Sequence, residues 1–544
     1  MRSLREILTR RAPLLLALVL PWALLWPLPV VFRTALVTSP LSEGVTHLWI
    51  WWAAWTSHAP LSVTTKLLNY PDGLTVQVID PLHLVPFALG WAFGPAAAFN
   101  AVLVWGVVVA GLGGLLLARE AGAGEGGQAL GVAIAASAPT LLAVGCDGIA
   151  EGMGVGWVAV QLACLLALRR GATPGRVLAL GASLAAGVLS GPYNAIWIAI
   201  LDVPVGIWLL RRTRSHLIAA LGAGILCSPY LLAISARDPN LPGGEARAGL
   251  GRPLVVMPWR ASAERGVDLL DLFVPAPLTG GHSDLPHTAY LGVVTLALAA
   301  MGVSASRRSR GPAAWPWMVG MVVFAALALG PWLSIAGSFP TIGGRPLVAP
   351  AGLLALYTPL GRLSRWYRAG AVAVFLLIPL AVRAVSGRRA WVAALAVLLD
   401  ARLLAPLPRS LPTYADLPSP ALIGRVGPIA ELPPIHPMFF AGDSADLNLL
   451  LQMHHGQPTN GTVHSLPGLA TNDPALRELR RISAGQPNAT DSAVEASGEL
   501  AKDGYQWLAV YRGFFPGNGI EALVGELGTP AGEDERVVVW RIGR

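Results

Sequence analysis

Charge is scarce in this sequence. Of its 544 residues only 13% are Asp, Glu, Lys or Arg, against about a quarter in an ordinary soluble protein. With 54% hydrophobic residues and a mean hydropathy of +0.57, the composition excludes a water-soluble globular chain and puts most of it in lipid. Cysteine is nearly absent. Cys146, Cys164 and Cys227 lie within or at the end of apolar runs, and no spacing forms a metal knuckle or a disulfide framework. There is no glycine-rich phosphate loop, no His-Glu-x-x-His and no nucleophile elbow, so any chemistry has to be assembled from loops. Repeats of solenoid length and low-complexity linkers are also missing.

The net charge of +8 does not indicate a nucleic-acid partner, because the basic residues fall in short clusters between apolar runs, as the positive-inside rule places them. The N-terminus "MRSLREILTRR" leads into an apolar run of about 20 residues without a small-x-small cleavage site, which predicts a retained helix with a cytoplasmic N-terminus. Apolar stretches near 12–34, 97–118, 128–146, 151–168, 176–190, 193–210, 215–234, 288–305, 313–335, 369–386 and 390–406 predict about eleven spans. Arg119, the Arg169/Arg170 pair, Arg211 with Arg212 and Arg214, Arg307 with Arg308 and Arg310, and Arg388 with Arg389 then all fall on the N-terminal side. The run 79–94, interrupted by prolines and a histidine, reads as re-entrant or interfacial, which preserves that agreement.

The expected fold is therefore an all-α polytopic membrane bundle over 1–406, with outer loops 35–96, 235–287 and 336–368. A small α/β domain at 407–544 follows outside, with strands at "GPIAELP", "YQWLAVY" and "RVVVWRI" and helices near 474–483 and 518–527.

The outer face gathers the polar residues. Glu43, His47 and His58 surround Trp49, Trp51, Trp52 and Trp55; the tryptophans alone suit an interfacial anchor, but an anchor needs no carboxylate. "NYPDG" (69–73) has turn chemistry. Asp147 and Glu151, four residues apart, are able to hold a divalent cation such as Mg2+ or Mn2+, to orient an acceptor, or simply to cap helix ends. Asp202 sits inside an apolar run, a costly position that marks either function or backbone repair beside Pro204. Arg345, Arg362, Arg365 and Arg368 lie opposite the inside clusters, where phosphate binding or pairing with loop carboxylates accounts for them.

In order along the chain, "EGVTHLWIWWAAW", "NYPDG", "FGPAAAFNAVLVWGVVVAGLGGLLLARE", "SAPTLLAVGCDGIAEG", "TAYLGVVTLALAAMG", "LALGPWLSIAG", "PLGRLSRWYRAG", "IAELPP", "LLQMHHGQPTNG" and "LGTPAGEDERVVVWRI" resemble bacterial membrane proteins of the GT-C glycosyltransferase superfamily, the polyprenyl-phosphate-sugar-dependent type. The resemblance implies a catalytic carboxylate in the first outer loop. Relatives commonly carry an aspartate six residues before the tryptophan that matches Trp49; here that residue is Glu43. It further implies a polyprenyl-phosphate sugar donor, a glycan, lipid or protein acceptor and a multi-pass cytoplasmic-membrane location. Chemistry and side of membrane add expected roles: His47, Asp147 and Glu151 orient acceptor or donor or hold the cation, Arg365 and Arg368 bind the donor phosphate, and His454 and His455 line the site from the tail. The aspartate-to-glutamate departure sustains a rival, a non-catalytic envelope-biogenesis scaffold. A transporter built around Asp202 is a second, against which the lack of a repeat between halves counts.

Overall fold

The computed structural model describes residues 4–38, 44–208, 213–235, 266–279, 288–308, 313–358, 360, 363, 365–432, 447–461, 473–486, 492–515 and 517–542. Among them, four helices are long and apolar enough to cross a membrane: Pro95–Glu120, Ala150–Arg170, Arg214–Ile234 and Trp366–Ala384. The pair Glu125–Ala136 and Pro139–Cys146, bent by 41°, adds a fifth span if counted as one. The expectation of about eleven spans is thus corrected to four or five. Proline and charge are the reason. Helix Pro174–Leu189 starts at a proline and has 16 residues, about 24 Å at 1.5 Å per residue, short of a core of roughly 30 Å. Helix Arg388–Leu403 has apolar stretches but carries Arg388, Arg389, Asp400 and Arg402.

The helices differ in what covers them. Leu217, Leu221, Ile225 and Leu232 of helix Thr213–Ser235 are exposed, which is affordable only where the solvent is lipid. Helix Ala369–Ala384 is the opposite, buried continuously from Ala369 to Val382, against helices Pro95–Glu120, Glu125–Ala136, Val293–Arg308 and Trp315–Ala328. In the 79–94 run, helix Leu84–Trp91 has eight residues, too few to cross. Val85, Leu89 and Phe93 are exposed, at a spacing of four that puts them on one helical face.

The C-terminal lobe holds a four-stranded sheet in the order Ile429–Leu432, Trp507–Tyr511, Val537–Arg541, Gly532–Glu533. The first pair is parallel and the others antiparallel. Each strand read from the sequence is present, and helices Pro474–Ser483, Ala493–Lys502 and Gly517–Leu527 pack together over the core that includes Leu479, Leu500, Leu508, Leu523 and Val538. The lobe is sewn to the first outer segment. Ala35–Leu36 pairs with Tyr414–Ala415, Asn69 N donates to Gly461 O (2.9 Å), Tyr70 N to Thr459 O (3.0 Å) and Thr459 N to Leu67 O (2.8 Å). "NYPDG" closes the hairpin between strands Ser62–Thr65 and Leu74–Gln77. Its Gly73 has φ +77°, and a Cβ there would stand 2.6 Å from Thr65 O, so the turn requires glycine.

Candidate functional site

Helix Gly44–Thr56 carries the tryptophan cluster, and it is a core element. Every residue from Gly44 to Trp51 is buried. Trp49 and Trp51 are both 0% exposed, which corrects the reading of these two as interfacial anchors; Trp55 does remain exposed. Each buried indole has found an acceptor, as a buried Trp N–H requires. Trp51 Nε1 donates to Asp80 Oδ1 (2.9 Å) and Trp49 Nε1 to Gln452 Oε1 in the C-terminal lobe (2.7 Å).

His47 and Trp51 are one turn apart and share a face, their ring centroids 5.9 Å apart. That face meets the site. His47 Nε2 lies 2.8 Å from Glu151 Oε2, and Arg368 Nη2 donates to Glu151 Oε1 at 2.7 Å. Glu151 comes from the two-turn 3-10 segment Ala150–Val155. Arg368 comes from Trp366–Arg368, the 3-10 entry to the fully buried helix Ala369–Ala384. The three side chains are 1%, 6% and 3% exposed. The Arg368 guanidinium also lies over the Tyr193 ring, 4.6 Å from its centroid, a cation–π contact that favours the cation when water is excluded. Its Nε and Nη1 are buried and have no hydrogen-bond partner among the described residues. A guanidinium that leaves its Nε and Nη1 open can donate to an oxyanion from either nitrogen.

Two details bring the first outer segment onto this trio. Asn100 accepts from Val37 N (3.0 Å) and donates to Phe32 O (3.0 Å) and Ala35 O (2.8 Å), tying the chain before Thr38 to helix Pro95–Glu120. Gly148 has φ +68°, and a Cβ on it would stand 2.1 Å from Thr38 Oγ1 and 3.0 Å from Gly44 Cα. Backbone on backbone, the 147–151 turn therefore touches Gly44, the residue that follows Glu43 in the chain.

Of the residues singled out from sequence, His47, Glu151 and Arg368 are brought together. Glu43 lies outside the described residues, as does Arg362. Asp147 ends helix Pro139–Cys146 and is half-buried. Arg365 is half-buried immediately before Trp366–Arg368. A cation shared by Asp147 and Glu151 would have to compete with Arg368 and His47 for both Glu151 oxygens, so the carboxylate fits the arginine better than a metal. Among the described residues no three His, Cys, Asp or Glu side chains converge. His454 and His455 bond within the lobe and its seam. His454 Nε2 sits 2.8 Å from Asp416 Oδ1, and His455 Nδ1 accepts from Gln457 N at 3.0 Å, with burial pushing the His455 imidazole down to about 4. Asp202 is engaged by Gln161 and by His216, the latter at 3.1 Å, and Arg345 and His58 are exposed.

Other residues of consequence carry no motif. Asp80, 1% exposed, accepts from Trp51 and lies 2.9 Å from His83 Nδ1. Glu431, 1% exposed, accepts from Tyr511 Oη (2.8 Å) and Asn448 Nδ2 (3.2 Å), and burial holds its carboxyl up at about 7. For Asp80 the available signal was Trp51, whose N–H calls for an acceptor once it is buried; Glu431 had no such signal.

No protein-family model matches the sequence, and no curated protein matches it. Among solved structures, the chain is similar to that of the arabinofuranosyltransferase AftD from mycobacteria, with a TM-score of 0.54 and 16% identity over 98% of this chain and 40% of that one. A mutant of the same protein gives 0.48 and 14%, over 98% and 41%. The chain thus spans about two fifths of the length of the protein it matches. At this identity the likeness is one of fold alone: this chain is a helical, polytopic membrane protein with a fold like that of the arabinofuranosyltransferase.

Proposed function

We propose that the protein is an integral membrane glycosyltransferase that moves a sugar from a polyprenyl-phosphate-linked donor to an acceptor hydroxyl at the outer face of the cytoplasmic membrane. The observation that carries this reading is Arg368: a buried cation, fixed by Glu151 and Tyr193, with two N–H groups open, beside the loop segment that begins at Gly44. A donor phosphate supplies the oxyanion such a group lacks.

In the proposed reaction Glu43 takes the proton of the acceptor hydroxyl. The acceptor oxygen attacks the anomeric carbon, the bond from that carbon to the phosphate oxygen breaks, and the polyprenyl phosphate leaves with its charge met by Arg368, assisted by Arg365. Glu151 and His47 keep the guanidinium aimed, which is the electrostatic preorganisation that such a leaving group needs. Glutamate in place of aspartate reaches further by one methylene, and since a misplacement on the order of 1 Å costs about a hundredfold, the acceptor hydroxyl has to sit correspondingly further from the loop backbone. In this proposal the N-terminus is cytoplasmic, residues 1–406 form the membrane unit, and the lobe from 407 to 544 stands outside over the site.

The test is sugar transfer by purified, detergent-solubilised protein given polyprenyl-phosphate sugars and candidate glycan, lipid and protein acceptors. Turnover lost in Glu43→Gln, with folding and donor binding retained, supports the base; donor binding lost in Arg368→Gln supports the phosphate site. Binding without turnover in the wild type would mean a non-catalytic scaffold, and absence of binding would overturn the proposal.

A further inference from the structure

The catalytic reading above concerns the membrane unit, yet one of the contacts that fixes it comes from the other end of the chain. Along helix Gly44–Thr56, His47 and Trp51 point to one side, while Trp49, two residues from each, points about 200° away. That opposite side is covered by helix Leu447–His455 of the C-terminal lobe. There Trp49 Nε1 donates to Gln452 Oε1 at 2.7 Å. Gln452 is 0% exposed, and its amide nitrogen is bound by Leu67 O, by Gln457 O at 3.0 Å and by Thr459 Oγ1 at 3.4 Å. The amide therefore cannot rotate away without breaking a buried set of bonds. On the other face Trp51 is held as tightly by Asp80. The helix that presents His47 is thus gripped from both sides by its indoles, once from the membrane unit and once from the lobe.

We infer that Gln452 is a positioning residue for the His47–Glu151–Arg368 site: through Trp49 the C-terminal lobe sets the seat of helix Gly44–Thr56, and with it the approach of His47 to Glu151. The lobe then completes the site and is more than a cap on it. This deepens the proposed function and rests on it for the catalytic readout only. Cutting the clasp loosens His47 against Glu151, and with it the aim of Arg368 at the donor phosphate.

The experiment uses the full chain in detergent and three variants, Gln452→Ala, Trp49→Phe and the pair combined. Three readouts are taken: hydrogen–deuterium exchange of the 44–56 peptide, affinity for polyprenyl phosphate, and kcat against donor KM. Gln452→Ala is expected to raise exchange in 44–56 and to weaken polyprenyl-phosphate affinity about tenfold, the scale of one buried hydrogen bond, with donor KM rising in step. The double variant should lose no more than either single one, because both remove the same bond. Unchanged exchange in 44–56, or losses that multiply in the double variant, would overturn the inference. If the wild type neither binds the lipid phosphate nor turns over, the proposed function fails, but the exchange measurement still decides whether the clasp holds the helix.

Discussion

Replacing Glu151 with Gln removes one negative charge and almost no volume, so its consequences are electrostatic. Arg368 is 3% exposed and gives its Nη2 to Glu151 at 2.7 Å. Neutralising the carboxylate strands a cation in a dry site, and breaking a buried pair from one side costs about 3–5 kcal/mol. The Gln oxygen still accepts one hydrogen bond, which favours the lower end, about 3 kcal/mol. Against a total stability on the order of 5–15 kcal/mol that loss is large, and the thermal midpoint should drop by roughly 5 °C. Polyprenyl phosphate changes the comparison. In the wild type its phosphate shares the guanidinium with a carboxylate; in the variant it is the only anion present. The lipid phosphate should therefore bind Glu151→Gln about tenfold more tightly and restore most of the lost midpoint, since a ligand at a hundred times its Kd contributes about 2.7 kcal/mol. Adding Arg368→Gln should also recover stability, by removing the stranded charge, and abolish the lipid effect. The assay is thermal unfolding in detergent with and without polyprenyl phosphate. Glu151→Gln as stable as wild type, or a ligand shift no larger than in wild type, would refute the reasoning.

Three further outcomes are expected. Glu431 has its carboxyl raised to about 7 by burial, so the folded lobe holds a proton that the unfolded chain releases near 4.5; its contribution is full below about pH 4.5 and is lost as pH rises to about 7, on the order of 3 kcal/mol. The stability difference between wild type and Glu431→Gln, followed by denaturant unfolding at pH 5, 6, 7 and 8, should decline accordingly, and a flat difference would contradict the burial argument. Asp80→Asn leaves one of the donors Trp51 Nε1 and His83 Nδ1 facing an amide N–H, which should destabilise by about 1–3 kcal/mol, with Asp80→Ala worse in the same thermal assay. Gly148→Ala meets both φ +68° and the Thr38 side chain, a strain of about 1–3 kcal/mol; Thr38→Ala in the same chain should relieve part of it.

His47, Glu151 and Arg368 were each legible as polar residues that an apolar chain has to justify, and the basic clusters led to the expectation that Glu151 and Arg368 share one side of the membrane. Their meeting was not legible, because it joins three segments up to 321 positions apart in the numbering (47 to 368). Spacing misled where it was most local: Asp147 and Glu151 looked like a pair, but Glu151 is turned to partners from elsewhere. The tryptophans misled by hydropathy, which scores an indole alike whether it floats at the bilayer surface or donates to Gln452 across 403 residues. Span counting overshot because several apolar runs fold into helices too short to cross, among them Pro174–Leu189 and Trp315–Ala328. The strands of the lobe, with their short β-branched runs, were the easiest to read.

Helix Ala369–Ala384 offers lipid no face at all, and its packing partners Pro95–Glu120, Glu125–Ala136, Val293–Arg308 and Trp315–Ala328 all precede it in the chain. A segment of this kind leaves the translocation channel into a vacancy its elders have already framed, so the direction of synthesis is also the direction of assembly. Arg368 travels at its head and arrives where Glu151 is waiting to neutralise it. Gln452 is made some eighty residues later and reaches back to one of the earliest helices, so the grip on Trp49 closes only after the membrane helices between them have been made.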